Sequence, residues 1–168
     1  MSPKAAVLLA ALATVLVACK SKPPKVEVPK PINAVVSIVA APDLNPNREG
    51  RASPVFLRLF LLKDSTQFVN AEFDDVTVKS EQVLAASLVG RDERMVQPGS
   101  TIKLTLEVPP EARALGVVAE FADLPNSRWR TITAATEGGL LSQFKGHSLR
   151  VSLGRLSVST EFVPARSQ

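Results

Sequence analysis

After residue 31, most of the chain either alternates hydrophobic and polar residues or forms short apolar blocks. The clearest alternation covers residues 101–108, where Thr, Lys, Thr and Glu separate Ile, Leu, Leu and Val, and it predicts a half-buried strand. Residues 55–62 are apolar on both faces apart from Arg58, so this strand needs cover on both sides. Further strands are predicted over residues 34–40, 93–97, 114–122, 129–134, 149–153 and 156–162.

The pattern becomes helical at about residues 65–89. Asp64 and Ser65 can cap a short turn, Ser80 can cap a helix over 81–88, and Gly90 can end it. We expect the apolar residues of this insertion to supply the outer cover of the second strand, at one end or the outer edge of the sandwich, and they are Phe68, Phe73, Val83, Leu84 and Leu88.

The order of these elements defines a fold class. Pro98 and Gly99 suit the middle of a type II turn, which predicts a hairpin between the third and fourth strands. Eight short strands with a small helical insertion after the second predict an all-β fold, a two-sheet antiparallel β-sandwich. A closed barrel is the alternative.

The N-terminus has the pattern of an export signal. Residues 5–18 follow a single Lys, are apolar apart from Thr14, and are too short to span a bilayer. They end in Leu-Val-Ala before Cys19, which resembles the lipobox of bacterial lipoproteins. The resemblance implies cleavage after residue 18 and diacylglycerol on the thiol of Cys19.

The same resemblance divides the chain into a signal peptide over 1–18, a lipidated Pro- and Lys-rich tether over 19–31, and a sandwich domain over 32–168. Four Pro within residues 20–31 favour an extended polyproline II tether. Lys20 stands where an Asp usually retains lipoproteins in the inner membrane, so we expect the periplasmic face of the outer membrane.

Several short motifs in their order and spacing resemble the TssJ (SciN) family. They are Cys19, residues 43–47, 50–51, 53–55 and 62–64, Phe68, Phe73, residues 116–121 and residues 129–130. Ala52 departs from the family pattern, where a Pro is common, and residues 60–61 depart where an aromatic followed by Gln is common. The resemblance implies a transthyretin-like sandwich in an outer-membrane lipoprotein of the type VI secretion system.

The family also implies a partner and a site. Its members bind the periplasmic C-terminal part of TssM, an inner-membrane protein that forms an envelope-spanning complex with TssL. The contact involves the loop between the first two strands, which is unusually long here, about 13 residues over 42–54. Carried over to this sequence, the partner-binding residues are Asp43, Leu44, Asn45, Pro46, Asn47, Arg48, Gly50 and Arg51.

Each residue type in this loop suggests a role. We expect Leu44 to fill an apolar pocket of the partner, with the amides of Asn45 and Asn47 at its rim. Pro46 limits the freedom of the free loop, and Arg48 and Arg51 can meet carboxylates, so the arginines add association rate and register. An ordinary surface connection is the alternative for this loop.

Composition weighs against catalysis. The single Cys and single His exclude a disulfide framework and a multi-His metal centre within one chain, and we expect no enzyme activity, no cofactor and no metal. Trp129 is expected in the core or at a sheet edge, and export argues against a nucleic-acid partner. A periplasmic lipoprotein that binds sugar or peptidoglycan is the second functional hypothesis, although the chain has no Tyr and one Trp.

Overall fold

The computed structural model describes residues 29–165. The predicted signal peptide, Cys19 and most of the tether lie outside the described residues. The elements are β1 Ile32–Ala40, β2 Val55–Leu62, α1 Thr66–Asn70, α2 Phe73–Thr77, α3 Ser80–Val83, β3 Leu88–Val96, β4 Thr101–Val108, β5 Ala114–Glu120, a 3-10 turn Leu124–Asn126, β6 Arg130–Ala134, α4 Gly139–Phe144, β7 His147–Gly154 and β8 Ser157–Pro164. In this part of the chain no helix has the length and apolar character needed to cross a membrane.

The strands form two four-stranded sheets, in the orders β4-β1-β7-β8 and β3-β2-β5-β6. Neighbouring strands are antiparallel except β1 and β7, which run parallel from the pair Val36–Leu149 to the pair Ala40–Leu153. The predicted all-β, two-sheet antiparallel sandwich is confirmed, with this one parallel pair as a difference.

On one side of the sandwich, where β6 and β8 are the edge strands, hydrogen bonds connect the two sheets. Arg128 donates its backbone N–H to Leu156 O at 2.9 Å and accepts from Val158 N at 3.0 Å. The hydroxyls of Thr133 on β6 and Thr160 on β8 are 2.7 Å apart. On the opposite side β3 and β4 belong to different sheets and do not pair, so the fold is a sandwich and not the alternative closed barrel.

The inward faces of both sheets form the main core. On β2, Val55, Leu57, Leu59 and Leu61 are at most 1% exposed, as their alternation predicts. On β4, Leu104, Leu106 and Val108 are buried while the intervening polar residues are exposed. The main core also takes residues from β1, β5, β7 and β8, among them Val36, Ile38, Val117, Leu149, Val151 and Val158.

A second apolar cluster covers the outer face of the β3-β2-β5-β6 sheet. Phe60 and Leu62 on β2 meet Phe68, Val76 and Leu84 of the helical insertion, and all five are at most 1% exposed. Arg130 ties the insertion down through hydrogen bonds from Nη1 to Phe68 O and Ala71 O. The cover that the two apolar faces of β2 require is therefore present on the sheet's outer face.

Phe56 is the exception on this face, because it stays half-buried outside the second cluster. Its ring is covered instead by Arg58, whose guanidinium carbon lies 4.8 Å from the ring centroid. Arg58 is held there by Glu93 on β3 and Glu120 on β5, at 2.6 and 2.7 Å.

The helix predicted over 81–88 is wrong. α3 spans only Ser80–Val83 with Lys79 at its N-cap, and the chain is already in β3 by Leu88. Gly90 lies inside β3, opposite Leu61, where the β2–β3 register shifts. Leu84 and Leu88 still pack in the second apolar cluster. A helical turn and the start of a strand that pack on the same apolar surface both need apolar side chains there, so the sequence pattern does not distinguish them.

The hairpin predicted at Pro98 and Gly99 is also wrong. Gly99 has the positive φ, 70°, that the turn chemistry requires. However, β3 pairs with β2 and β4 pairs with β1, so this turn carries the chain from one sheet to the other. Ala41 O, which accepts from Gly99 N at 3.1 Å, holds the crossing against the end of β1.

The strand directions sort the connections into two ends. The loops 41–54, 97–100, 121–129 and 155–156 lie together at one end, which we call the loop end. The chain enters β1 at Ile32 at the other end, which also carries the helical insertion and which we call the tether end. A strand of eight residues at about 3.3 Å each separates the ends by about 25 Å.

Candidate functional site at the loop end

The long β1–β2 loop is anchored by an apolar side chain that the sequence led us to expect outside. Leu44 is fully buried and belongs to the main core between the sheets. Its backbone accepts a hydrogen bond from Ser53 N at 3.0 Å, which closes the base of the loop. The expectation that Leu44 fills a partner's pocket is therefore wrong, because its side chain is already inside this domain.

Asn45 is the second anchor of the loop and is 5% exposed. Its amide nitrogen donates to Pro54 O at 2.7 Å, and its side-chain oxygen accepts from Ala122 N at 2.8 Å. Its backbone N–H donates to Arg155 O at 2.8 Å, and its carbonyl accepts from the hydroxyl of Ser53. These bonds use the amide groups that we had expected at the partner's rim.

Asn47 shapes the exposed tip. Its side-chain oxygen accepts from the backbone N–H groups of Glu49 and Arg51, at 3.1 and 2.9 Å. Its backbone N–H donates to Arg51 O at 2.8 Å and its carbonyl accepts from Gly50 N at 2.9 Å. Gly50 takes φ 77°, a left-handed conformation that glycine adopts without strain. The tip is a small, internally bonded turn.

The side chains that remain exposed on the loop are mostly charged: Asp43, Arg48, Glu49 and Arg51. Arg51 faces Glu49 at 3.6 Å, and Asp43 faces Arg155 of the β7–β8 turn at 3.8 Å. All four of these partners are more than half exposed, so each ion pair is weak and exchangeable. Among residues 29–165, Arg48 has no acidic partner within 4.0 Å.

A groove lies between this loop and its neighbours at the loop end. It is lined by Pro46, Asn47, Arg48, Gly50, Ala122, Asp123, Arg155 and Leu156. Residues 122–123 and 155–156 were absent from our sequence-based site. They are 70 to 110 positions away from the loop, and no local pattern marks them, because only strand pairing brings them here.

Glu72, Asp75 and His147 lie away from the loop end. Glu72 and Asp75 form a capping box at the start of α2, so these acids satisfy backbone N–H groups. His147 is exposed at the start of β7, with Nδ1 3.2 Å from Lys145 O. No group of three His, Cys, Asp or Glu side chains suited to a metal occurs in the described range.

Trp129 packs where we expected it. It is half-buried against both clusters, with its ring edge-on to Phe73 at 5.2 Å between centroids. The guanidinium of Arg130 covers it at 4.7 Å. None of the described residues that line the groove at the loop end is aromatic, so these residues provide no ring on which a sugar could stack.

The carboxyl of Asp64, just before α1, has a lowered pKa. The backbone N–H of Thr66, 2.9 Å from Oδ1, and the Thr66 hydroxyl donate to the carboxylate and hold its pKa below the usual value. Asp64 lies just before α1 at the tether end, so this shift belongs to the insertion and not to the candidate site.

An eight-stranded sandwich with a structured, charged loop at the end opposite the start of β1 is a fold suited to presenting a binding surface. The family model described as T6SS-SciN (Type VI secretion lipoprotein, VasD, EvfM, TssJ, VC_A0113) matches residues 33–156. The chain belongs to this family of type VI secretion lipoproteins. No curated protein sequence matches it significantly.

Solved structures agree with the family match. The T6SS lipoprotein TssJ1 from Pseudomonas aeruginosa is 31% identical, with a TM-score of 0.72 over 80% of this chain and 98% of that one. Serratia marcescens Lip, titled a membrane bound component of the type VI secretion system, is 23% identical, with a TM-score of 0.69 over 77% and 96%. A chain of the structure titled T6SS protein TssM C-terminal domain (869-1107) from EAEC is 19% identical, with a TM-score of 0.58 over 77% and 99%. The last two likenesses concern the fold alone.

Proposed function

We propose that this chain is the outer-membrane-anchored lipoprotein of a type VI secretion membrane complex. In this proposal its loop end binds the periplasmic C-terminal part of TssM, and through it TssL, without catalysing a reaction. The observation that carries the proposal is the placement of the structured loop at the end of the sandwich opposite Ile32, where the chain arrives from the tether. A membrane anchor at Cys19 then points the loop end away from the membrane.

The dimensions suit a connection across the periplasm. Twelve residues, 20–31, separate Cys19 from the sandwich, and at about 3.1 Å per residue that length of chain allows a span of at most about 37 Å. The sandwich adds about 25 Å along its strands. The loop end thus stands up to about 60 Å from the lipid surface, where the periplasmic part of an inner-membrane protein can meet it.

The loop is prepared for binding before a partner arrives. Its base is held by Leu44 and Asn45, and its tip is held by the hydrogen bonds of Asn47. A preorganised loop loses less conformational entropy on docking, so more of its contact energy appears as affinity. Membership of the type VI secretion lipoprotein family also supports this partner.

Calorimetry tests the partner. Residues 31–168 contain both apolar clusters, so they keep the folding core, and they are titrated with the C-terminal periplasmic part of the cognate TssM. A tip variant, Arg48→Ala with Glu49→Ala and Arg51→Ala, retains Gly50 and every loop anchor. We expect it to bind at least tenfold more weakly than wild type, a difference of about 1.4 kcal/mol.

The matched control changes the same kinds of side chain at the tether end. Lys63→Ala with Glu111→Ala and Lys145→Ala removes two cations and one anion, all exposed. We expect wild-type affinity from this control. The absence of binding by the wild-type domain, or equal binding by wild type and the tip variant, would refute the proposed role of the loop end.

Fractionation tests the location. We expect the full chain in outer-membrane fractions, with fatty acid on Cys19 detected by labelled palmitate. Cys19→Ala should take no label and leave the membrane, whereas Lys20→Asp should keep the label and move to inner-membrane fractions. Labelling of Cys19→Ala, or an unchanged position of Lys20→Asp, would contradict the proposed anchor or its sorting.

A further inference from the structure

We infer that the groove at the loop end receives an acidic side chain of the partner, held between Arg48 and Arg155. This inference rests on the proposed function, because it names the chemistry by which the loop end recognises its partner. It also narrows the site, since Arg51, on the same loop, takes no part.

The groove has two cationic positions that come from different parts of the chain. Arg48 is on the β1–β2 loop and Arg155 is on the β7–β8 turn, and both line the groove. The backbone bond from Asn45 N to Arg155 O, at 2.8 Å, fixes the turn beside the loop. The loop that carries Arg48 and the turn that carries Arg155 are therefore already hydrogen-bonded to each other.

Both arginines can pair with an incoming carboxylate at little cost. Arg48 has no acidic group within 4.0 Å among the described residues. Within the described part of the chain, the only acidic side chain that pairs with Arg155 is Asp43, at 3.8 Å, and both side chains are more than half exposed. Exchanging this loose contact for a better-oriented carboxylate costs little, since an exposed ion pair contributes about 0–1 kcal/mol. An incoming carboxylate can also accept two parallel hydrogen bonds from a guanidinium.

Asp123, the one acid among the described residues that line the groove, is already hydrogen-bonded. Both carboxylate oxygens of Asp123 accept from Asn126 Nδ2, at 3.0 Å each. With Arg48 and Arg155 against Asp123, the charged lining carries a net charge of +1. Half-buried Pro46 and Leu156 supply apolar walls, so the groove suits a carboxylate carried by a peptide chain.

Arg51 provides an internal comparison. It has the same charge, lies on the same tip and is more exposed than Arg155, at 77% against 55% of the side chain. It does not line the groove, and it faces Glu49 at 3.6 Å. General attraction to a negative partner would involve Arg51 as much as Arg48, whereas a carboxylate seated in the groove involves Arg48 and Arg155.

The experiment measures binding of residues 31–168, with single substitutions, to the C-terminal periplasmic part of TssM at two salt concentrations. We expect Arg48→Glu and Arg155→Glu to weaken binding at least tenfold and Arg51→Glu less than threefold. Arg48→Gln should also reduce the loss of affinity caused by added salt, because it removes one screened attraction. Thermal unfolding checks that each variant keeps the wild-type fold.

The outcomes separate the two proposals. Wild-type affinity in Arg48→Glu and Arg155→Glu, together with lost binding in the tip variant, overturns the groove but leaves the proposed function intact. An effect of Arg51→Glu equal to that of Arg48→Glu overturns the groove in favour of general electrostatic attraction. If the wild-type domain does not bind, both proposals fail.

Discussion

The side-chain oxygen of Asn45 accepts a hydrogen bond from the backbone N–H of Ala122 at 2.8 Å, across 77 positions of sequence. This bond fastens the β1–β2 loop to the segment that follows β5. Asn45 also has φ 46°, a left-handed conformation that asparagine tolerates better than most residues. One residue thus serves as a turn former and as a bridge between loops.

Replacing Asn45 tests both roles. Asn45→Gly removes the bonds to Ala122 and Pro54 but keeps the backbone conformation accessible, and we expect a loss of about 1–3 kcal/mol in the free energy of unfolding. Asn45→Ala adds left-handed strain and should cost about 1 kcal/mol more. Urea unfolding followed by Trp129 fluorescence measures both. A glycine variant less stable than the alanine variant would contradict the strain argument.

Leu44 should behave as a core residue. We expect Leu44→Ala to lower the free energy of unfolding by about 2–5 kcal/mol, because it opens a cavity between the sheets. Leu44→Asp should prevent folding, since it buries a charge without a partner. Near-ultraviolet circular dichroism reports the folded state, and Ala52→Asp, exposed on the same loop, is the control. A folded Leu44→Asp domain that only loses partner binding would restore the sequence-based interpretation.

The helical insertion is packed so closely that β5 needs a glycine. A Cβ at Gly116 would lie 2.7–2.9 Å from three ring atoms of Phe68, so one of them must move. We expect Gly116→Ala to cost about 1–3 kcal/mol by overpacking. Phe68→Leu in the Gly116→Ala background should recover part of that loss. Additive effects of the two substitutions in a double-mutant cycle would show that the residues do not clash.

Asp64 should make the insertion more stable at neutral than at acid pH. Its pKa is lowered in the folded state by the Thr66 donors. Its contribution is therefore fully present above the ordinary Asp pKa of about 3.9 and is lost as the pH falls through the folded value. We expect the stability difference between wild type and Asp64→Asn to shrink in acid. A carboxyl titration by NMR that gives the ordinary pKa would contradict the proposed cause.

The local sequence pattern was sufficient to predict a strand where each face of the strand contacts either the core or solvent. The alternation of residues 101–108 placed β4, and the two apolar faces of residues 55–62 required the cover that Phe68 and Leu84 supply. Turn chemistry was insufficient at Pro98 and Gly99, because a turn between two sheets uses the same residues as a hairpin turn. The helix expected over 81–88 failed for a similar reason, since apolar spacing there suits a helical turn followed by a strand.

For the candidate site, the sequence located the loop but not the direction of its side chains. The length of the loop over residues 42–54 and its Asn, Pro and Gly residues distinguished it from an ordinary short connection. The family resemblance then predicted that it binds a partner protein. The pairing of distant strands decides whether the side chain of Leu44 lies in the core or in solvent. It also decides whether Arg48 and Arg155 line the same groove. Hydrophobic periodicity is a local property, and it determined most of the strands. Strand order and loop packing are long-range properties, so the tertiary structure alone decided which side chains remain available to a partner.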